Sequence, residues 1–331
     1  MSARILLTHS PAALANYYGE RALAGMRALG EVRLNKEEKS LEGEALIAAA
    51  ADCDLLVSYR QSPGPAALFE RLPKLAAFLR CAIDIRNVDV AAASRAGVLV
   101  TQASAGFVTS VTELVIGFMI DLSRRVTAHA SFYHAGKIPQ AVMGRELRGS
   151  TLGVIGYGAI GKEVARVGQA LGMHVLIHDP YVRVENRQLG QTTLAELLAL
   201  SDYVVPLAVA SAETENLMGE KEFRRMKPGA FFINVSRGDL VDEAALARAL
   251  DSGRIAGCAL DVGRDPDQMP TPALAARADV IATPHTAGLS LPAIEHQSME
   301  TVAQAAEILK GRAPKGAVNA EHWQRKELLN I

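Results

Sequence analysis

The stretch LGVIGYGAIG, residues 152–161, places three glycines after a short apolar run and directly before the helical sequence KEVA. In this G-x-G-x-x-G pattern the first glycine permits a tight turn, the second lets the backbone approach a pyrophosphate, and the third lets strand and helix pack closely. The amino terminus of the following helix stabilises the anion. The stretch therefore predicts a strand, a turn and a helix that bind a dinucleotide. The loop residues assigned to the cofactor are Gly156, Tyr157, Gly158, Ala159, Ile160 and Gly161.

An acidic residue follows this fingerprint at the distance that a ribose-binding carboxylate requires. Asp179 lies 179 − 161 = 18 residues after Gly161, at the end of a predicted strand over 174–178. A carboxylate there accepts hydrogen bonds from a ribose 2′-hydroxyl and repels a 2′-phosphate. The sequence therefore predicts NAD rather than NADP, with Arg183 nearby as the feature that would suit a phosphate.

The fold class follows from the pattern on either side of the fingerprint. Apolar runs alternate with alanine-rich helical stretches along most of the 331 residues, which favours an α/β fold of two domains with parallel sheets. The first part predicts helices near 12–29, 41–51 and 88–96. Predicted strands in this part cover 4–8, 54–58, 75–80 and 98–101. Predicted strands in the second part cover 151–155, 174–178, 203–207, 230–234, 256–260 and 279–282.

Two longer helices are predicted where the chain passes between the domains. Residues 110–133 form one with two apolar faces, the second made by Ile116 and Ile120. A helix with two apolar faces is buried twice, so we expect it to cross between the domains and to offer a homodimer surface, with burial in a large core as the alternative. A helix over 291–311 has the length to return to the first domain, where residues 317–319 would add a closing segment.

The composition excludes several classes of function. Hydrophobic residues make up 49% and charged residues 21% of the chain, as in folded globular proteins. Lys plus Arg total 35 against 36 for Asp plus Glu, which argues against nucleic acid as a partner. The three cysteines are far apart and lack metal-site spacing, so we expect buried thiols, a reducing compartment and no metal. No apolar run has the length of a membrane span or a signal peptide, so we expect a cytoplasmic protein without a membrane partner.

Two polar side chains lie just past predicted strands, where open α/β sheets bind their ligands. Arg237 can hold a carboxylate and its neighbouring carbonyl in a fork that lysine cannot reproduce. His285, if poised by a carboxylate, can protonate a carbonyl oxygen as a general acid. Each residue alone has a structural interpretation, a surface ion pair or a turn histidine. Together with the fingerprint they favour hydride transfer to a small carbonyl substrate.

These residues belong to a set of motifs in which the sequence resembles the D-isomer-specific 2-hydroxyacid dehydrogenases. The motifs fall in the family's order along most of the chain: Asn87–Asp89, Ser110–Glu113, Gly149–Gly153, the fingerprint, Asn234–Gly238, Ala259–Val262 and Thr283–His285. The resemblance implies that Arg237 binds and polarises the substrate, that His285 is the acid/base and that Asp261 holds the nicotinamide carboxamide. We also assign Val235, Ser236 and Gly288 to the cofactor.

The resemblance also implies how the two domains are connected. A Rossmann cofactor domain over 104–286 would be inserted into a flavodoxin-like substrate domain made of 1–103 and 287–331. Both would be doubly wound parallel-sheet domains.

The sequence departs from the family at the acid that accompanies the histidine. The family has a glutamate followed by proline, and its place here is taken by Pro266. Asp265 keeps a following proline and Asp267 keeps Pro270 three residues on, so either is the candidate catalytic carboxylate, one methylene shorter than glutamate. A glutamine stands at this place in formate dehydrogenases of the superfamily, which makes Gln268 a third candidate.

A second departure lies in the segment that would bind the substrate. The family has a Gly-x-Gly turn ahead of Asn87, whereas this chain reads AIDIR over 82–86. We predict that Ile83, Asp84 and Arg86 bind the substrate together with Arg237. Because Asp84 would repel a simple 2-keto acid, either Arg86 neutralises it, or the substrate carries a polar or cationic group, or Asp84 is a structural cap turned away.

The leading prediction is an oxidoreductase that transfers a hydride between NAD(H) and C2 of a small 2-keto or D-2-hydroxy acid. One alternative is a non-catalytic NAD-sensing binding protein, because this fold also serves corepressors and function must be argued from the site. Another is a dehydrogenase of a different small anion, such as formate or phosphite.

Overall fold

The computed structural model describes residues 2–329, which form two compact units. The first unit comprises the described residues up to Phe107 and those from Leu289 onward, and the second runs from Val108 to Gly288. The sequence-based boundaries, 103/104 and 286/287, lie a few residues before these. Each unit contains a parallel sheet with helices, so the predicted α/β fold, with one doubly wound domain inserted into another, is confirmed.

The first unit has a five-stranded parallel sheet of order β2-β1-β3-β4-β5. Its strands are β1 (Ala3–Leu7), β2 (Gly30–Leu34), β3 (Leu55–Ser58), β4 (Ala77–Arg80) and β5 (Leu99–Gln102). Every residue of β3 and β4 is buried, because helices cover both faces of the centre of a parallel sheet. The four predicted strands are present. The edge strand β2 was missed because polar residues alternate along it and leave no apolar run.

The helices of the first unit are α1 (Pro11–Tyr17), α2 (Glu20–Arg27), α3 (Gly43–Ala50), α4 (Ala66–Arg71), α5 (Val90–Arg95) and α13 (Leu291–Ile308). The single helix predicted over 12–29 is wrong, because Gly19 with φ of +84° separates α1 from α2. Helix α4 was not predicted. The predicted return of the chain is confirmed: α13 packs on α2, and the main-chain N–H of Val318 donates to the carbonyl of Val100 at 2.9 Å.

The second unit has a seven-stranded parallel sheet of order β12-β11-β10-β9-β6-β7-β8. Its strands are β6 (Thr151–Ile155), β7 (His174–His178), β8 (Gly190–Gln191), β9 (Tyr203–Pro206), β10 (Ala230–Asn234), β11 (Ile255–Leu260) and β12 (Val280–Ala282). The six predicted strands are present with bounds shifted by a residue at most. The edge strand β8 was missed because two residues are too few to form a pattern.

The helices of the second unit are α6 (Val108–Arg124), α7 (Val126–His134), α8 (Ala159–Ala170), α9 (Leu194–Leu200), α10 (Glu220–Arg225), α11 (Glu243–Asp251) and α12 (Pro272–Ala275). The long helix predicted over 110–133 is therefore two helices. Arg125 adopts a left-handed conformation with φ of 55°, and the carboxylate of Asp121 accepts the main-chain N–H of Thr127 at 2.8 Å across the break. Helix α6 packs on α8 and lies wholly in the second unit. Contrary to the expectation, it does not cross between the domains.

The side chains of Cys53, Cys81 and Cys258 are buried, as predicted. Burial raises the pKa of Cys53 to about 11 and that of Cys81 to about 12. Among residues 2–329, no helix combines the length and the apolar character that crossing a bilayer requires.

Candidate active site

The glycine fingerprint forms an open turn between β6 and α8. Gly156 has φ of +98°, and a Cβ there would lie 2.7 Å from the main-chain nitrogen of Ala208. A Cβ on Gly161 would lie 2.1 Å from the carbonyl oxygen of Gly156. At Gly158, by contrast, no heavy atom of the described residues lies within 4 Å of that position. The first and third glycines are required by packing and the second leaves the backbone open, which is the cradle that a dinucleotide pyrophosphate fits.

Asp179 follows β7 and turns its carboxylate toward this cradle. Its Oδ2 accepts the main-chain N–H of Tyr157 at 2.7 Å, and its Oδ1 accepts those of Tyr181 at 2.9 Å and Val182 at 3.0 Å. Partial burial opposes ionisation of the carboxyl, but these three hydrogen bonds outweigh it and hold the pKa of Asp179 below its ordinary value. The fingerprint turn therefore carries a fixed negative charge at its edge, where the sequence places the ribose.

Arg237 lies in a turn after β10 that Asn234 shapes. The amide of Asn234 donates to the carbonyl of Arg237 at 2.9 Å, and its oxygen accepts the N–H of Ser236 at 3.1 Å. The half-buried guanidinium of Arg237 donates to the carbonyl of Ser236 at 2.7 Å. Sequence reasoning quoted this motif but gave Asn234 no role. Its signal is an amide at the last position of a buried strand, where both its groups can bind the turn that follows.

His285 follows β12 in a strained conformation with φ of 54°. Its Nδ1 lies 2.8 Å from the main-chain carbonyl oxygen of Asp267. Because a carbonyl can only accept, Nδ1 carries the proton, and the other ring nitrogen, Nε2, is the one that exchanges protons. In this structure the acceptor of Nδ1 belongs to the main chain of Asp267, and Asp265 begins an exposed turn. A role for the carboxylate of Asp265 or Asp267 at the ring stays a prediction.

Asp261 fixes the turn that contains His285. Its side chain is fully buried at the end of β11. It accepts hydrogen bonds from the hydroxyl of Thr283 at 2.6 Å and from the main-chain N–H groups of Thr286 and Ala287, both at 2.8 Å. The carboxylate thus holds both sides of the turn that contains His285. Its role at the nicotinamide carboxamide stays a prediction.

The structure thus places Arg237 and His285 on neighbouring loops of the second unit. Gln268, the third candidate for the partner of His285, accepts the N–H of Gly238, the residue after Arg237, at 3.1 Å. Ser236 reaches the carbonyl of Ala208 at 3.4 Å, beside the fingerprint turn. Val235 is buried, and Gly288 is the last residue of the unit.

The predicted substrate segment lies in the first unit, after β4. Asp84 and Arg86 form an ion pair, with Nη2 of Arg86 2.7 Å from Oδ2 of Asp84, so the expectation that Arg86 neutralises Asp84 matches the geometry. Sequence reasoning missed Arg80, which is 1% exposed and shapes this segment. Its guanidinium donates to the carbonyls of Asp84 at 3.0 Å and Tyr59 at 2.8 Å and to the side chain of Asn87. Burial lowers the pKa of Arg80 to about 10, which leaves it charged at neutral pH.

Comparison with known proteins agrees with this geometry. A family model described as the NAD-binding domain of D-isomer specific 2-hydroxyacid dehydrogenases matches residues 116–287. A glyoxylate reductase of Korarchaeum cryptofilum is 33% identical over 91% of this chain and 93% of its own length. A D-3-phosphoglycerate dehydrogenase of Rattus norvegicus is 34% identical over 86% of this chain, which spans 54% of that protein.

A solved structure shows the same fold. D-lactate dehydrogenase from Escherichia coli superposes with a TM-score of 0.82 at 24% identity, covering 95% of this chain and 99% of that one. With the family model matching the cofactor domain and the fingerprint cradle intact, NAD is the cofactor of this fold. The chain belongs to the family of D-isomer specific, NAD-dependent 2-hydroxyacid dehydrogenases.

Proposed function

We propose that the protein reduces small 2-keto acids to D-2-hydroxy acids and catalyses the reverse oxidation, with Arg237 binding the substrate and His285 as the acid/base. The observation that carries this proposal is the hydrogen bond from Nδ1 of His285 to the carbonyl of Asp267, because it leaves Nε2 as the nitrogen that exchanges protons. Residues Gly156–Gly161 and Asp179 would hold the cofactor. When bound, NADH supplies a hydride to the carbonyl carbon.

The two side chains have complementary tasks in this proposal. The planar guanidinium of Arg237 pairs with the substrate carboxylate and polarises the neighbouring carbonyl. In reduction, Nε2 of the protonated His285 ring gives its proton to the carbonyl oxygen, and in oxidation it takes the proton from the hydroxyl. The single proton from the ring therefore converts the carbonyl oxygen into the hydroxyl group of the product.

The substrate class is inferred from the paired charges after β4 and from the relatives. Because Asp84 and Arg86 neutralise each other, the segment Ile83–Arg86 adds no net charge that would repel a 2-keto acid. The glyoxylate reductase matches this chain over nearly its full length, whereas the phosphoglycerate dehydrogenase is much longer. We therefore propose a small, unphosphorylated 2-keto acid as the substrate.

Two variants test the roles of the side chains separately. Arg237→Lys keeps the charge but loses the fork, so kcat/KM should fall by about 10²–10³-fold. His285→Gln removes the proton donor, so kcat should fall by a similar factor or more. Both variants should bind NADH with the Kd of the unaltered protein. An Arg237→Lys variant with a normal kcat/KM would make the arginine structural.

We further propose that the protein is a homodimer through the region around α7. Seven of the fourteen large apolar side chains exposed in the described part lie in this segment: Ile120, Val126, Phe132, Tyr133, Ile138, Val142 and Met143. Three of them, Phe132, Val142 and Met143, line a groove of about 1050 Å³ whose walls also include Leu122, Phe231 and Val280. Apolar surface concentrated in this way is characteristic of a protein interface, and a second copy of the same chain is the partner that closed symmetry favours.

A further inference from the structure

Left-handed backbone is concentrated at the candidate active site. Five non-glycine residues of the described chain have positive φ, and three of them are Asp267 (59°), Gln268 (60°) and His285 (54°). This conformation is unfavourable for a residue that carries a side chain. Two consecutive left-handed residues persist only when their surroundings hold them. The turn at Asp267 and Gln268 therefore has a shape imposed by specific contacts.

Gln268 supplies contacts on both sides of that turn. Its main-chain carbonyl accepts the N–H of Gly263 at 2.8 Å, which closes the loop on itself. Its side-chain Oε1 accepts the N–H of Gly238 at 3.1 Å, which ties the loop to the turn that carries Arg237. A Cβ on Gly238 would lie 2.0 Å from the carbonyl oxygen of Gly263, so the two loops touch backbone to backbone. The side-chain amide of Gln268 thus joins two closely packed loops, the one that carries Gly263 and the one that carries Gly238.

The two residues of the turn contact the ring of His285 and the main chain next to Arg237. Gln268 holds Gly238, the neighbour of Arg237, while the carbonyl of Asp267 accepts Nδ1 of His285 at 2.8 Å. We propose that Gln268 is a positioning residue, which fixes the left-handed turn and thereby presents the Asp267 carbonyl to His285 in register with Arg237. This inference rests on the proposed function. It assigns to a side-chain amide and a main-chain carbonyl the orienting task that the family gives to one glutamate.

A merely structural glutamine would affect stability and leave the imidazole unchanged. If Gln268 positions the Asp267 carbonyl, its loss frees the ring, so that the proton on His285 distributes between Nδ1 and Nε2. The tautomer of His285 is therefore the readout that separates the two roles. It can be followed by nitrogen chemical shifts of the labelled imidazole without any turnover.

The test uses three variants of Gln268 in the full-length protein. Gln268→Met has a similar length but no acceptor, and Gln268→Asn keeps an amide and tolerates a left-handed backbone but is one methylene too short. Gln268→Glu retains both reach and acceptor. Gln188→Met, at an exposed glutamine of the second unit, is the matched control.

We expect the first two variants to lose the Nδ1–H preference of His285 and to lower kcat/KM about 10–100-fold, through both a higher KM and a lower kcat. Gln268→Glu should keep the preference, and the control should change neither property. An unchanged tautomer in Gln268→Met and Gln268→Asn would overturn the inference. The tautomer is measured without substrate, so failure of the unaltered protein to reduce any 2-keto acid would refute the proposed function and leave this test intact.

Discussion

The imidazole Nδ1 of His285 lies 2.8 Å from the main-chain carbonyl oxygen of Asp267. A carbonyl orients the ring and selects its tautomer as a carboxylate does, but it carries only a dipole. No side-chain substitution at position 267 removes this acceptor. Removal of the carboxylate of Asp265 or Asp267 therefore leaves the acceptor of His285 in place.

The pH dependence of reduction should be insensitive to the acids of this loop. In Asp265→Asn and Asp267→Asn the carbonyl that accepts Nδ1 of His285 is retained, and asparagine tolerates the left-handed conformation at 267. We expect the alkaline limb of the pH–rate profile to stay where it is in the unaltered enzyme. A shift of that limb in either variant would show that a carboxylate controls the ring.

Cofactor choice should depend on Asp179. Because main-chain hydrogen bonds from Tyr157, Tyr181 and Val182 hold the pKa of this carboxyl below its ordinary value, it is ionised at neutral pH and opposes a 2′-phosphate. We expect kcat/KM for NADH to exceed that for NADPH by about a hundredfold, roughly 2.7 kcal/mol, and Asp179→Asn to narrow the ratio. The ratio should be constant between about pH 7 and 9, since neither the carboxyl nor the 2′-phosphate of NADPH titrates there. Equal values for the two cofactors in the unaltered protein would refute this assignment.

Stability in mild acid should depend on His9. Burial, with the charge of Arg80 nearby, lowers the pKa of His9 to about 3, and neither ring nitrogen has a hydrogen-bond partner in the described part of the chain. In the unfolded chain His9 is protonated below about pH 6.5, whereas in the folded chain it stays neutral until the pH approaches 3. The free energy of unfolding therefore falls as the pH drops from about 6.5 toward 3. The slope should approach about 1.4 kcal/mol per pH unit.

The comparison is urea unfolding of the unaltered protein and His9→Leu at several pH values across that window. The variant should lack this contribution, so that its stability relative to the unaltered protein improves as pH falls. Parallel stability curves for the two proteins would mean that His9 is protonated in the folded state.

The dimer should be sensitive to charge in the region around α7. Met143 is 96% exposed beside the apolar groove, whereas Leu200 is 57% exposed at the end of α9 in the same unit. We expect sedimentation velocity to give a dimer for the unaltered protein and for Leu200→Glu, and a monomer for Met143→Glu. A dimer that survives Met143→Glu, or an unaltered protein that is monomeric, would contradict the proposed interface.

The fold could be predicted from sequence where apolar runs are long enough to show a period. Strands β6 and β7 have the predicted bounds because each contains an apolar run, and the residue that follows the strand is a glycine or an aspartate. The pattern failed at edges and breaks. Strand β2 alternates like a surface segment, and the break at Arg125 depends on a capping contact with Asp121 that no periodicity records.

The site could be predicted as far as it consists of side chains in motifs. Asp179, Arg237 and His285 lie at strand ends, where the motifs placed them. The acceptor of His285 could not be predicted, since every residue has a carbonyl and only the backbone angles at Asp267 aim this one at the ring. Arg80 was missed for a similar reason, because most of its acceptors are main-chain carbonyls, and three of these lie in the distant loop after β3.

NADH-dependent reduction of a small 2-keto acid can be measured directly. The assay follows the loss of NADH absorbance on mixing the unaltered protein with a series of 2-keto acids of increasing size, beginning with glyoxylate, and determines the configuration of each chiral product. We expect saturable turnover with the smallest members, D-configured products, and no turnover in His285→Gln although it binds NADH. Tight NADH binding without turnover of any 2-keto acid would refute the proposed activity and favour a nucleotide-sensing protein.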